Sequence, residues 1–163
     1  MLGCLLVFGL TGCEFITGAS PAARDIRVTV EPTLDSEAPN RGVTTPGIIF
    51  ENVVLEAGRL ERSFRLRPDY PGMAPTGFND PCYYLNGNIR NEYDQRYWVA
   101  FRALGFDDLG NGVSFTLDNG PIMGVAALAI EGHSSENFTL HLTWSDNVSY
   151  FRVTSARSTV MPP

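Results

Sequence analysis

Residues able to act as nucleophile, base or metal ligand are sparse in this 163-residue chain, which holds two histidines and three cysteines. His133 falls in the turn-like run Glu131-Gly132-His133-Ser134-Ser135-Glu136, and His141 on the polar side of an alternating run. Ser134 or Ser145 would complete a Ser–His–acid set on paper. No G-x-S-x-G elbow presents either serine, and a Ser adjacent to a His in a turn does not face it. No lysine is present, which excludes Schiff-base and P-loop chemistry. A zinc site needs more ligands than the histidines and Cys82 supply, and neither H-E-x-x-H nor C-x-x-C occurs. Asp107-Asp108-Leu109-Gly110-Asn111-Gly112 is rich in calcium-type oxygen ligands. However, Leu109 occupies the slot two residues after the first Asp, where an EF-hand loop needs oxygen. Asp and Asn in such a run are expected to serve the turn itself. The residues therefore point to no catalytic site, no bound metal and no cofactor.

The segment Tyr83 to Trp98 is different in kind. Tyr83, Tyr84, Tyr93, Tyr97 and Trp98 interleave with Asn86, Asn88, Arg90, Asn91, Asp94, Gln95 and Arg96. Aromatic faces stack on sugar rings while Asn, Asp and Arg satisfy hydroxyls; Tyr, Trp and Arg also anchor protein–protein contacts. Tyr83, Tyr84, Arg90, Tyr93, Tyr97 and Trp98 are the candidate binding surface, for a glycan or an envelope protein. The bland alternative is that strand alternation turns half of these rings into a core. The Pro-rich run from Pro68 to Pro81 leads directly into this segment and is expected to share the surface.

Met1 to Cys13, MLGCLLVFGLTGC, is apolar and ends in Leu10-Thr11-Gly12-Cys13. That ending resembles the lipobox of bacterial lipoproteins. The resemblance implies a signal peptide over residues 1–12, acylation of Cys13 as the mature N-terminus, and a lipid-anchored protein facing the periplasm or cell exterior. Its four residues stand behind a hydrophobic run, as that family requires. No Arg or Lys precedes the run, so the start of the signal is expected upstream of Met1. A transmembrane helix does not fit, because twelve residues rise only about 18 Å of a ~30 Å hydrocarbon core. With Cys4 lost and Cys13 acylated, Cys82 has no partner for an intramolecular disulfide. In a bacterial host the sequons at Asn137 and Asn147 carry no weight.

The elements that must position these residues follow from composition and period. Hydrophobic residues make up 44% and charged residues 18%, enough for a packed core. The net charge of -6 argues against nucleic acid as a partner. Residues 13–24 form a tether, and then period-2 alternation returns repeatedly: Ile26/Val28/Val30, Ile48 to Leu55, Leu60/Phe64/Leu66, and Cys82 to Leu85. It continues through Tyr97/Val99/Phe101/Ala103, Val113/Phe115/Leu117, Phe138/Leu140/Leu142/Trp144 and Val148 to Ser155. Ile122 to Ile130 is apolar throughout and reads as a central strand. Turns are expected at Ala57-Gly58 and Asn86-Gly87. No amphipathic helix is expected. The stretch Leu140 to Val153 is similar to the Trp strand and following strand of fibronectin type III domains, though in a different chain order, which marks shared sandwich physics. The expectation is an all-β antiparallel sandwich, Ig-like or jelly-roll-like, of about eight or nine short strands over residues 25–158, with a frayed tail at 159–163. Its function is expected to be non-enzymatic binding or structure in the envelope.

Overall fold

Strands form here because β-branched and aromatic residues recur at every second position, and each such run can bury one face. The residues described are 26–35, 44–64, 77–118 and 124–160, with backbone alone at 34–35 and 154–158, in a computed structural model of the chain. The lipobox, Cys13, the tether and most of the run from Pro68 to Pro81 lie outside the described residues. Nine strands and no helix occur among them: β1 (Arg27–Val30), β2 (Leu34–Asp35), β3 (Ile48–Arg59), β4 (Pro81–Asn91), β5 (Tyr97–Phe106), β6 (Gly112–Phe115), β7 (Ala126–Ile130), β8 (Ser135–Thr143) and β9 (Tyr150–Val160). The protein is all-β, with two sheets.

The six-stranded sheet sets β1, β9, β5 and β6 side by side. In it β2 also lies along β9, and β7 runs along the half of β5 that β6 leaves free. The three-stranded sheet has the order β3-β4-β8. Most pairings are antiparallel, but β1 and β2 join β9 in parallel. Between the sheets lie Leu85, Ile89, Val99, Phe101, Phe138, Leu140, Leu142, Phe151 and Val153, all buried. Phe50, Phe101 and Phe138 meet edge to face, with centroids 5.0 to 5.8 Å apart, the arrangement that ring quadrupoles favour. A second, smaller cluster of Leu60, Phe64, Cys82 and Leu117 packs with Tyr84 on the outer face of the three-stranded sheet.

Several expectations from the sequence need correction. Neither Ala57-Gly58 nor Asn86-Gly87 is a turn; both lie within long strands, paired across β3 and β4. The glycines supply space there. A Cβ on Gly58 would come 2.6 Å from the Tyr84 ring, and one on Gly87 would come 2.8 Å from the Phe138 ring. Glycine within a strand often marks such a close approach. Of the expected strand Leu60 to Leu66, Leu60 follows the end of β3 and Phe64 makes a single bridge, and residues 65 and 66 lie outside the described residues. Ile122 to Ile130 is shorter and more peripheral than a central strand, since β7 begins at Ala126, pairs only with β5 and is mostly half-buried. The tail is ordered further than expected, because Thr159 and Val160 pair with Trp98 and Tyr97.

The alternation at β6 is inverted. Ser114 and Thr116 are buried, whereas Phe115 is half-buried and sits opposite Leu104. Thr116 Oγ1 donates to the carbonyl of Ala103 at 2.8 Å and accepts from its N–H at 2.9 Å. Ser114 Oγ donates to the Thr143 carbonyl at 2.6 Å, and Thr116 bridges to Leu142. The chain crosses from one sheet to the other at this point. Side-chain hydroxyls satisfy backbone groups that regular pairing would leave open.

Candidate functional site

The six aromatic and arginine positions singled out in the sequence do not form one surface, and the topology explains why. Strand β4 belongs to the three-stranded sheet and β5 to the six-stranded sheet, so the chain crosses the sandwich between Asn91 and Tyr97. Tyr83 points into the core at 3% exposure. It stacks on Trp144 at 4.4 Å and donates its hydroxyl to the Ser145 carbonyl at 2.9 Å. Tyr84 and Arg90 project from the opposite, outer face of β4. Tyr93 and Tyr97 stack at 5.0 Å, both half-buried, and the Tyr93 hydroxyl accepts from the Gly47 N–H at 3.2 Å. Trp98 alone of the six lies on the outer face of the six-stranded sheet, flanked by Ala129 and Thr159.

Asn91, which the sequence offered as a sugar contact, is fully buried. Its Nδ2 donates to the carbonyls of Gln95 (2.7 Å), Ile130 (3.2 Å) and Glu131 (3.1 Å), and its Oδ1 accepts from the Tyr93 N–H at 3.0 Å. It joins the crossing after β4 to the turn after β7. Arg90 donates Nε to Glu51 Oε1 at 2.8 Å and Nη1 to Glu92.

The other chemistry-bearing residues are likewise engaged in structure. Asp107 Oδ1 accepts from the N–H groups of Leu109 (3.0 Å) and Asn111 (2.8 Å), and Oδ2 from Asn111 Nδ2 at 2.9 Å. Those bonds, led by the Asn111 side chain, hold the Asp107 carboxyl below its usual value. Asp108 accepts from Ser149 Oγ at 2.6 Å. Asp107 thus caps its own loop and Asp108 ties that loop to the segment before β9, and among the described residues no three His, Cys, Asp or Glu side chains gather as a metal site. His133 pairs with Asp94 at 2.6 Å, both exposed. His141 is held between the rings of Phe64 and Tyr84 while its Nδ1 meets Asp118 at 2.9 Å. Cys82 is fully buried, and burial pushes its thiol up. Tyr84 is pushed up to about 12, first by burial and then by Cys82. A buried thiol with a raised pKa is a poor nucleophile.

What sequence reasoning missed is the outer face of the six-stranded sheet. The even positions of β5, Trp98, Ala100, Arg102, Leu104 and Phe106, all turn outward, since Val99, Phe101, Ala103 and Gly105 turn in. Phe115 lies beside Leu104, Tyr150 beside Phe106, and Ala127 and Ala129 beside Ala100 and Trp98. Phe106 and Tyr150 stack at 5.1 Å with the Arg152 guanidinium over both rings, 5.4 and 5.9 Å from their centroids. Arg152 also reaches Glu31 at 3.5 Å. These outward side chains are all half-buried, and Arg102 Nε is sealed from solvent. Part of the signal was in the sequence: apart from Arg102, β5 is apolar at both parities, although only the pairing with β6 and β9 sets Phe115 and Tyr150 beside it.

No family model and no curated protein matches the sequence. Among solved structures, a crystal structure of a DUF1425 family member from Shewanella sp. pv-4 is similar over 72% of this chain and 96% of that one. The identity is 12% and the TM-score 0.30, a likeness too slight to carry an argument.

Proposed function

We propose that this protein is a non-enzymatic binding or structural module of the bacterial cell envelope, anchored by lipid at Cys13, with the outer face of its six-stranded sheet as the contact surface. The observation that carries this reading is the half-buried outward cluster of Leu104, Phe106, Phe115 and Tyr150 with Arg152 stacked over it, and Trp98 further along the same face. Soluble sheets normally turn polar side chains to water. An apolar cluster of Leu, Phe and Tyr with a stacked Arg has the composition of an interaction site. The anchor rests on Leu10-Thr11-Gly12-Cys13 alone.

Two measurements test the two halves. Labelled palmitate fed to a bacterium expressing the protein marks it, and Cys13→Ser abolishes the label and releases the chain to the soluble fraction. Capture from envelope extract is then compared between wild type and a Trp98→Ser/Phe106→Ser variant. Retained label in Cys13→Ser removes the anchor, and retained capture by the folded double variant removes the face.

The glycan reading is the second proposal. Trp98 favours it as an outward aromatic, while Tyr83, needed for a platform along Tyr83 to Trp98, is in the core. A screen of cell-wall and outer-layer glycans against wild type and Trp98→Ala decides it.

A further inference from the structure

We draw no further inference here: the strongest candidate, the acidic cleft of about 320 Å³ between the β5–β6 turn and the turn before β9, carries nothing, because Asp107 and Asp108 are already bonded to Asn111 and Ser149 and no second feature among the described residues points to a ligand there.

Discussion

The two outer faces of the sandwich are built from strands of the same kind and end up opposite in character. On the three-stranded sheet, polar side chains bond one another across the strands. Asn86 donates to Glu56 at 3.1 Å and accepts from Thr139 at 2.7 Å, while Asn88 donates to Glu51 at 3.2 Å and accepts from Asn52 at 3.0 Å. Arg90 closes the row on Glu51. Along this row the face meets its own hydrogen-bonding needs, while towards Tyr84 and His141 the same face is covered by Leu60, Phe64 and Leu117. The six-stranded sheet turns out Trp98, Leu104, Phe106, Phe115 and Tyr150, whose need is apolar cover. Exposed polar pairs exchange with water at little net cost, whereas apolar rings are stabilised by leaving it. The difference is why the second face, and not the first, is the proposed contact surface.

The largest effect should come from the surface shared by neither face. Phe101 is fully buried between outward Ala100 and Arg102, so Phe101→Ala should lose about 3–5 kcal/mol in denaturant unfolding. This sets the scale of an interior position. Trp98→Ser/Phe106→Ser should instead cost about 1–2 kcal/mol in the free chain and lower partner capture more than about tenfold. A loss of stability on the Phe101 scale would show that the face is interior after all, and the contrast would fail.

A third effect is smaller and belongs to the polar face. The Arg90 hydrogen bond, outweighing burial, holds the Glu51 carboxyl below its ordinary 4.5. A depressed folded-state value contributes stability above the unfolded value, and that contribution is lost as pH falls through the folded one. Melting temperatures measured from neutral pH downward should therefore fall less steeply below pH 4.5 in Glu51→Gln than in wild type. Parallel acid limbs would show that this ion pair contributes nothing. The smallest effect is expected at Thr139→Ala, within about 0.5 kcal/mol by denaturant unfolding and with unchanged capture. If capture fell there, the polar face would be a contact surface too.

Much of the fold was legible along the chain. The inward sets Val99/Phe101/Ala103 and Phe138/Leu140/Leu142 follow from alternation, and each is buried. Where alternation conflicted with another demand, it misled. Ser114 and Thr116 are inward because the chain changes sheets and its backbone needs hydroxyls, a demand no local pattern states. Gly58 and Gly87 looked like turns because glycine has two uses, and only the distant rings of Tyr84 and Phe138 show which one applies. The candidate site was the least legible part. A dense run of aromatics reads as a cluster in one dimension, yet a crossing between sheets sends Tyr83 to the core and Trp98 to the far face.

By itself the sequence determined the all-β class, the inward face of most strands and the scarcity of catalytic groups, because period and composition are properties of neighbours along the chain. Tertiary structure alone decided that β1 and β2 run parallel to β9, that β4 and β5 occupy different sheets, and that one outer face is apolar. Strand pairing joins residues more than a hundred positions apart, such as Val28 with Phe151. A face is made by the strands laid side by side, and adjacency across a sheet is not written in the order of residues along one strand.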